Sequence, residues 1–490
     1  MQADALRLRL EREGLLVRWP ADAPAVIPAI TTDSRSVEPD ALFLAYVGSL
    51  VDGHTYVAAA ARAGAAFALV EREVPEAPLP QALVRDGKRA ASVAASAFFG
   101  NPADALVLLA ITGTNGKTTT AHLLRHLFSD RAPAGSLGTL GAIDGRGELL
   151  PTAGSLTTPG PVELHRALAL LRHAGVQTVA MEASSHSLDQ DRIAGLTFRA
   201  AVFTNLTRDH LDYHGDEAHY LAAKLKLDRY LAPGGFQVVN SDDHAWASLP
   251  QRAERITFGI KAPADVRAED VEGDRLGMRF RLVVRDTSAP VTLPLLGTFN
   301  VENALGAAAA AIALGREPEY VAKRLSAAPQ VPGRMERLTD TPCVVLRDYA
   351  HTPDALERAL AALRPLTRGR LVVVFGAGGD RDKGKRPLMG AIAARAADLS
   401  VVTSDNPRTE DPEQIMHDIE AGMAGTPHLR IVDRKAAVLR ALAIARPDDV
   451  ILLAGKGHET YQVVGHEHLP LDEREIVAAA VGGADGGGVL

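Results

Sequence analysis

The chain has 490 residues, which is too long for one hydrophobic core and predicts about three domains. Its 53 Lys and Arg against 60 Asp and Glu give a net charge of −7, which argues against a general nucleic-acid or anionic-membrane surface. No run of about 18 apolar residues predicts a membrane span, and the charged N-terminus is unlike a signal peptide. The single cysteine, Cys343, cannot form an internal disulfide, and we interpret it as a buried strand residue. These features predict a cytoplasmic enzyme.

Residues 1 to about 104 alternate short apolar runs with polar turns, which predicts a small α/β domain. The polar turn Thr32-Asp33-Ser34-Arg35 follows a strand-like segment, at a place where loops often bind ligands. An equally good interpretation is a capping turn, in which Asp and Ser side chains satisfy backbone donors. Asn101-Pro102 predicts a turn that links this domain to the next one.

A candidate phosphate-binding loop, ITGTNGKTTT at 111–120, follows the apolar run ALVLLA. Gly113 and Gly116 allow a turn tight enough to point backbone N–H groups at phosphate oxygens, Lys117 adds a positive charge, and Thr118 offers a hydroxyl to Mg²⁺. The longer P-loop template has a glycine where this chain has Ile111, so the loop is a shorter GTNGKT form. An ordinary glycine-rich turn is the alternative, but the order of strand, glycines, Gly-Lys-Thr and helix favours phosphate binding.

Further β-branched runs at 176–184, 200–206 and 234–240 alternate with helical segments, which predicts a mainly parallel sheet with helices on both faces. Ligands of such sheets bind at the carboxyl ends of the strands. Glu182 and His210 are therefore expected at the same edge as Lys117, where a carboxylate and substrate phosphates suit Mg²⁺. His210 also fits a hydrogen-bonded structural residue. Lys224, judged from the helical pattern alone, fits an exposed charge.

The region between about 241 and 300 differs from the parallel sheet before it. Its short alternating segments predict antiparallel strands. Asn300 and Asn303 begin an alanine-rich helix, either as caps or as nucleotide contacts.

The last third of the chain predicts another domain. PGRMERL at 332–338 predicts a hinge, and 343–490 predicts a second doubly wound unit. Its strand-like runs are followed by charged residues that are expected to share one pocket: Arg381, Asp405, Arg408 and Glu459. GAGGDR lacks the third glycine of a dinucleotide loop, so no nicotinamide cofactor is expected. The glycine-rich tail from 482 is expected to fray.

Several segments in a fixed order, namely GTNGKT, ExSSH, TNLxxDHLDYHG, YxxAK, DYAHTPDAL and DNPR, resemble the Mur ligases. These are bacterial ATP-dependent enzymes that form amide bonds in peptidoglycan precursors. The resemblance covers about residues 31–475 and is strongest to the enzymes that add the third stem-peptide residue. It implies an α/β fold of three domains: a small α/β domain at 1–104 for the UDP-muramoyl dipeptide, a central ATP-binding domain with a mostly parallel sheet at 105–336, and a doubly wound, Rossmann-like domain for the amino acid at 337–490.

The resemblance also implies site residues. The catalytic residues would be Lys117, Glu182, His210 and Lys224. ATP would bind Gly113, Thr114, Asn115, Gly116, Lys117, Thr118, Thr119, Asn300, Asn303, Arg334, Asp348 and His351. Mg²⁺ would bind Thr118, Glu182, His210 and Lys224, the last as a carbamate formed with CO₂. The UDP-MurNAc dipeptide would bind Ser34, Thr157, Thr158, Ser184, Gln190 and Arg192, and the amino acid Arg381, Asp405, Asn406, Arg408, Gly455 and Glu459. Ser49 departs from the family, where this uridine-binding position is often His.

The implied reaction proceeds through an acyl phosphate, which an incoming amine attacks, and DNPR favours meso-diaminopimelate as that amine. Arg408 and Arg381 can grip its distal carboxylate, while Asp405 and Glu459 suit its ammonium. L-Lysine and L-ornithine are the alternatives, and DNPR also fits a cap of a helix near Pro412.

Other functions fit parts of the pattern. A folylpolyglutamate synthase-like ligase shares the GTNGKT-type loop, a P-loop switch would hydrolyse nucleotide without an organic product, and an inactive homologue would serve as a binding module. We expect small-molecule substrates, no nucleic acid, no membrane span and a monomer.

Overall fold

A computed structural model describes residues 1–48, 51–152 and 156–482. The expectations for Ser49 and for the tail at 483–490 lie outside these residues. The chain divides into two compact units, Met1–Val266 with Leu305–Glu317, and Arg267–Ala304 with Pro318–Leu490. No helix among the described residues combines the length and the apolar character that crossing a membrane requires.

The N-terminal part of the first unit is the predicted small α/β layer. Its elements are α1 (Ala3–Arg12), β1 (Leu16–Arg18), β2 (Ile30–Thr31), β3 (Leu42–Leu44), α2 (Val57–Arg62), β4 (Phe67–Val70), β5 (Gln81–Val84) and α3 (Gly87–Phe98). The five strands form one sheet in the order β1-β5-β4-β3-β2, in which only β1 is antiparallel to its neighbour. The inner strands β3 and β4 are buried along their whole length, as apolar strands between covered faces are.

The rest of the first unit is a larger α/β layer. Its elements are β6 (Val107–Thr112), α4 (Lys117–Phe128), β7 (Ala134–Gly138), β8 (Gly141–Ile143), α5 (Pro161–His173), β9 (Thr178–Glu182), α6 (Ser185–Asp189), β10 (Phe198–Phe203), α7 (Leu211–His214), α8 (Glu217–Leu225), β11 (Leu231–Asn240) and β12 (Glu254–Gly259). The strand order is β12-β11-β10-β6-β9-β7-β8, parallel throughout except for β8. The predicted mostly parallel sheet is therefore confirmed.

The register of three central strands places their carboxyl ends side by side. Ile111 at the end of β6 pairs with Glu182, the last residue of β9, and Thr112 pairs with Phe203, the last residue of β10. The loops that leave these strands therefore meet at one edge of the sheet, where ligands of parallel sheets bind.

The remaining elements begin with an antiparallel segment. They are β13 (Val266–Asp274), β14 (Gly277–Val284), β15 (Thr287–Leu293), α9 (Thr298–Ala313), α10 (Pro318–Ser326), β16 (Glu336–Thr339), β17 (Val344–Asp348), α11 (Pro353–Leu363), β18 (Leu371–Phe375), α12 (Lys385–Ala396), β19 (Leu399–Val402), α13 (Pro412–Glu420), β20 (His428–Arg430), α14 (Arg434–Ala443), β21 (Val450–Ala454), β22 (Tyr461–Val464), β23 (Glu467–Pro470) and α15 (Glu473–Gly482). β14 and β15 pair antiparallel, as predicted for the region between about 241 and 300. The prediction is wrong for β12 in the same region, because that strand pairs parallel with β11 and extends the parallel sheet.

The C-terminal sheet has six strands in the order β16-β17-β21-β18-β19-β20, parallel except for β16. Asp348 at the end of β17 pairs with Ala454 at the end of β21, so these two carboxyl ends also lie side by side. Cys343 is fully buried, as predicted, although it lies one residue before β17 rather than within it. The second doubly wound unit is present as predicted.

Candidate active site

The candidate phosphate loop joins β6 to α4. Gly113 and Gly116 have φ angles of +146° and +87°, which a residue with a side chain rarely adopts. A Cβ on Gly113 would lie 1.9 Å from Thr204 Oγ1, so packing also requires glycine there. α4 begins at Lys117, and the first turn of a helix has N–H groups without intrahelical acceptors. The loop thus has the strand, turn and helix start that phosphate binding needs.

The segment after β10 holds this loop in shape. Thr114 N donates to the Asn205 carbonyl oxygen at 2.7 Å, and Asn115 N donates to Asn205 Oδ1 at 3.0 Å. Thr204 Oγ1 donates to the Asn115 carbonyl oxygen at 2.7 Å. In the sequence, Thr204 and Asn205 begin the motif TNLxxDHLDYHG, but Asn205 was given no site role, because its bonding depends on strand register.

Two lysines meet at the loop. Lys117 Nζ donates to the Gly113 carbonyl oxygen at 2.9 Å, and Lys224 Nζ donates to the same oxygen at 2.7 Å. Lys224 is only 1% exposed, and its Nζ lies 4.4 Å from the centre of the Tyr220 ring. The pKa of Lys224 is well below its usual value, chiefly because of burial and also because of Lys117. The interpretation of Lys224 as an exposed surface charge is therefore wrong.

Glu182 is buried at the carboxyl end of β9. Its Oε1 accepts from Thr139 N at 2.8 Å, and its Oε2 accepts from Thr139 Oγ1 at 3.2 Å. A Cβ on Gly138 would lie 2.1 Å from Glu182 Oε1, so glycine leaves room for the carboxylate. Sequence reasoning missed Thr139; its place directly after a strand-like run was the available signal.

His210 has a φ of +53° and precedes α7. Its Nε2 lies 3.4 Å from Asp209 Oδ2, and its ring centre lies 4.7 Å from that of His186. The His210 side chain is 48% exposed, and partial desolvation of its ring, together with the positive charge of Lys117, lowers the pKa of His210. A neutral imidazole nitrogen is the form that binds metals.

The donors present suit a magnesium ion that also binds phosphate. Thr118 and Glu182 are buried and supply a hydroxyl and a carboxylate, and His210 supplies an imidazole. No cluster of three or more His, Cys, Asp or Glu side chains occurs within residues 1–48, 51–152 and 156–482 that could hold a metal. Since Mg²⁺ usually takes one or two carboxylates plus phosphate oxygens and water, this donor set fits it.

Five of the six residues predicted for the dipeptide are linked by hydrogen bonds that run through Glu182 and Thr139. Thr158 Oγ1 donates to the Glu182 carbonyl oxygen at 2.8 Å and accepts from Ser184 N at 3.0 Å. The Thr157 and Thr139 hydroxyls lie 3.1 Å apart. Arg192 Nη1 donates to the Thr158 carbonyl oxygen at 3.0 Å, and Arg192 Nε donates to Gln190 Oε1 at 2.9 Å.

A small pocket joins this network to the N-terminal layer. It is lined by Tyr46, Gly48, Lys88, Pro161, Gln190 and Arg192. Ser34, the sixth predicted residue, lies in a separate turn, where the Asp33 carboxylate accepts from Arg35 N at 2.9 Å and from Arg35 Nη2 at 2.7 Å. The capping-turn interpretation thus describes Asp33, and nothing in these bonds uses the Ser34 side chain.

In the C-terminal unit, the predicted amino-acid residues form two contacting pairs, Asn406 with Glu459 and Asp405 with Gly455. Asn406 Nδ2 donates to Glu459 Oε2 at 2.9 Å. A Cβ on Gly455 would lie 2.3 Å from Asp405 Oδ2, so this glycine makes room for the aspartate. Asp405 and Asn406 are buried, and Asp405 Oδ2 also lies 3.9 Å from Arg434 Nη1.

The two predicted arginines flank Gly378. A Cβ on that glycine would lie 3.0 Å from Arg408 Nη1 and 3.8 Å from Arg381 Cγ. Arg408 has a φ of +52°, and its Nη1 donates to the Gly379 carbonyl oxygen at 2.7 Å. The interpretation of DNPR as a helix cap is wrong, because Asp411 caps α13 by accepting from Glu413 N at 3.0 Å.

The predicted nucleotide contacts of the second unit fall into two groups. Asp348 Oδ2 accepts from Met335 N at 2.6 Å, the Arg334 guanidinium lies 4.6 Å from the Tyr349 ring centre, and His351 Nδ1 is 2.7 Å from the Tyr349 carbonyl oxygen. Burial raises the pKa of Asp348. Separately, Asn303 Nδ2 donates to Asn300 Oδ1 at 3.1 Å, and both residues lie inside α9 rather than capping it.

A glycine-bracketed loop between a parallel strand and a helix, with two lysines and a buried carboxylate beside it, defines a nucleotide-dependent α/β protein. Comparison with known proteins makes this class more specific. Residues 26–103 match the model described as Mur ligase family, catalytic domain, residues 111–311 match the Mur ligase middle domain, and residues 333–457 match the Mur ligase glutamate ligase domain.

Individual relatives agree with these matches. The chain is 44% identical to a UDP-N-acetylmuramoyl-L-alanyl-D-glutamate–2,6-diaminopimelate ligase of Gloeobacter violaceus, over 98% of this chain and 99% of that one. A solved structure of a ligase with the same name has a TM-score of 0.66 at 33% identity and covers 95% of this chain and 97% of that chain. A Mycobacterium tuberculosis folylpolyglutamate synthase, with a TM-score of 0.62 at 19% identity over 75% of this chain and 92% of its own, shares the fold alone.

The chain belongs to the Mur ligase family, and it is an ATP-dependent ligase. The resemblance found in the sequence, including its closeness to the third-residue enzymes known as MurE, is confirmed. The predicted three-domain α/β architecture is confirmed as well. The exact boundaries at 104/105 and 336/337 stay predictions, as do the roles of the individual site residues.

Proposed function

We propose that the chain joins 2,6-diaminopimelate to UDP-N-acetylmuramoyl-L-alanyl-D-glutamate with hydrolysis of ATP to ADP and phosphate, in peptidoglycan precursor synthesis. The observation that carries this proposal is the near full-length likeness to ligases of that name. The site supports it, because the glycine-bracketed loop follows β6 of the larger α/β layer, and the carboxylates and arginines assigned to the amino acid lie in loops that follow β18, β19 and β21 of the C-terminal sheet. The cytoplasmic location and the monomeric state expected from the sequence belong to the same proposal.

In the first step the D-Glu carboxylate attacks the γ-phosphate of ATP, and the products are an acyl phosphate and ADP. The loop at 113–119 would hold the phosphates, and Lys117 would offset the repulsion between two anions. Thr118, Glu182 and His210 would hold Mg²⁺, with Lys224 as a carbamate, and the ion would supply charge neutralisation at the phosphates. Lys224 suits carbamate formation because its low pKa favours the neutral amine.

In the second step the amine of diaminopimelate attacks the acyl carbon, and phosphate leaves from a tetrahedral intermediate. We assign the distal carboxylate to Arg408 and Arg381 and the distal ammonium to Asp405 and Glu459. Asn406 and Gly455 would shape the pocket around these groups. Thr157, Thr158, Ser184, Gln190 and Arg192 would orient the dipeptide, with Ser34 at the uridine end. Catalysis would then consist mainly of positioning and charge stabilisation.

The nucleotide contacts of the second unit, which are Asn300, Asn303, Arg334, Asp348 and His351, also stay part of the proposal. A panel of diaminopimelate, lysine and ornithine with UDP-MurNAc-dipeptide and ATP, read by product mass, tests the whole assignment. Product with diaminopimelate alone is expected. Product with lysine or ornithine instead would overturn the amino-acid assignment, and phosphate release that stays high without both organic substrates would favour a nucleotide switch.

A further inference from the structure

Lys456 lies between the proposed substrate contacts Gly455 and Glu459, and the mechanism above gives it no role. It is the second residue after β21, and its side chain is completely buried. A lysine is almost never fully buried without a partner, because an ammonium loses its hydration there. The partners of Lys456 therefore indicate what this buried charge holds in place.

The ammonium of Lys456 connects two residues of the amino-acid pocket. Its Nζ donates to Asn406 Oδ1 at 2.6 Å and to Glu459 Oε2 at 3.1 Å. Asn406 Nδ2 donates to the same Glu459 oxygen at 2.9 Å, which closes a triangle of three side chains. Val463 N also donates to Asn406 Oδ1, at 2.9 Å.

This triangle determines how the amide is oriented. An ammonium can only donate hydrogen bonds, so Asn406 must turn its carbonyl oxygen toward Lys456 and its NH₂ toward Glu459. The reverse orientation would place an NH₂ against an ammonium and an oxygen against a carboxylate. Lys456 therefore excludes the flipped amide.

The triangle also separates the two oxygens of Glu459. Oε2 accepts from both Asn406 and Lys456, whereas Oε1 accepts no hydrogen bond within the residues that the structure describes. The Glu459 side chain is 15% exposed, so its carboxylate is reachable from solvent. One oxygen is thus anchored and the other is available to a ligand.

We propose that Lys456 is a positioning residue for the amino-acid substrate, which fixes Asn406 and Glu459 so that Glu459 Oε1 receives the ammonium of a diamino acid. This inference rests on the proposed function. Lys456 would touch no substrate, so acyl-phosphate formation does not depend on it.

The test compares Lys456→Met with Arg370→Met. The control variant also removes a cation that is paired with a carboxylate, since Arg370 Nη2 lies 2.7 Å from Asp449 Oδ2. Arg370 precedes β18 and therefore lies at the opposite end of the sheet from Lys456. KM is measured for diaminopimelate, ATP and UDP-MurNAc-dipeptide. Acyl-phosphate formation is followed without amino acid, as scrambling of oxygen-18 from the β,γ-bridge of ATP.

In Lys456→Met the KM for diaminopimelate is expected to rise roughly 10- to 100-fold, the range for losing a hydrogen bond to a charged group. The other two KM values and the scrambling should match those of Arg370→Met. An unchanged KM for diaminopimelate, or an equal rise in all three, would overturn the inference.

Two further readouts keep the outcomes separate. A cycle with Asn406→Ala should be non-additive in kcat/KM, because Lys456 acts through Asn406; additive losses would contradict that. If Lys456→Met does not fold, Lys456→Gln replaces it. A glutamine amide can accept as well as donate, so it no longer excludes the flipped Asn406, and the same rise in the KM for diaminopimelate is expected. Absence of scrambling in the wild-type enzyme would instead refute the proposed acyl-phosphate chemistry.

Discussion

Lys117 and Lys224 donate to one carbonyl oxygen, that of Gly113, although one lysine starts α4 and the other lies near the end of α8. Two ammonium groups at one acceptor repel each other, and burial disfavours the charge on Lys224 further. The pair therefore favours a neutral amine on Lys224, which is the form that reacts with CO₂.

Replacement of this amine tests the proposed carbamate. Lys224→Ala should lower kcat by about 100-fold or more, because it removes an anion from the phosphate site. Short carboxylic acids such as acetate should restore part of the rate by occupying the vacated space. The control is Lys226→Ala, which loses an ion pair with Asp189 at 2.7 Å but leaves the loop untouched. Failure of every carboxylic acid to restore activity would remove the support for a carbamate.

The choice of amino acid should depend on Arg408. Arg408→Ala is expected to lose far more kcat/KM for diaminopimelate than for lysine, since only diaminopimelate has a distal carboxylate for the guanidinium. The loss for diaminopimelate should be on the order of 10-fold or more. Arg395→Ala, which removes an exposed ion pair with Glu357, serves as the control. Equal losses of kcat/KM for both amino acids would mean that Arg408 does not bind the distal carboxylate.

The magnesium requirement should respond to the space beside Glu182. Gly138→Ala would place a Cβ 2.1 Å from Glu182 Oε1 and force the carboxylate to move. We expect the Mg²⁺ concentration for half-maximal activity to rise roughly 10-fold, as for other changes behind a metal ligand. At Gly160 a Cβ would meet no atom within 4 Å, so Gly160→Ala is a matched control. An unchanged Mg²⁺ requirement would argue against Glu182 as a ligand.

The stability of the C-terminal layer should depend on pH through Glu410. Hydrogen bonds from the buried Arg386 lower the pKa of Glu410 to about 2, from an ordinary value of 4.5. Because the folded-state pKa is the lower one, this stabilisation is complete above about pH 4.5 and is lost as the pH falls through about 2.

Melting curves of Glu410→Gln and wild type check this expectation. Near neutral pH the variant should melt several degrees lower, at roughly 2–4 °C per kcal/mol for a domain of this size. The two curves should converge as the pH approaches 2. Glu357→Gln removes an ion pair with the exposed Arg395, and it should change the melting temperature little at any pH. A difference in melting temperature between Glu410→Gln and wild type that stays as large near pH 2 would show that Glu410 does not stabilise the layer through its charge.

Local sequence patterns predicted what local physics determines. β-Branched runs and helical spacing indicated the parallel strands, and the glycines with Lys117 indicated the loop, because each signal lies within a few residues. The burial of Lys224 was not predictable in this way, since the helical pattern around it is compatible with exposure. Only family resemblance gave Lys224 a role.

Contacts between distant segments account for the rest. Thr139 and Glu182 are separated by 43 positions, and Lys456 and Asn406 by 50, so strand order and register bring them together. The cap of α13 was mispredicted for a different reason: DNPR and Asp411 are close in sequence, and both suit a helix start. The geometry selects Asp411 as the cap, and the role of DNPR in the amino-acid site stays a prediction.

The hydrogen bonds that the Thr114 and Asn115 amides donate to Asn205 have a thermodynamic consequence. A loop that the protein already holds in its turn loses little conformational entropy when a triphosphate arrives, so more of the interaction energy remains as affinity. In the proposed ATP site, the segment after β10 would therefore act as a template for the loop, and the affinity for ATP would depend in part on the Asn205 side chain.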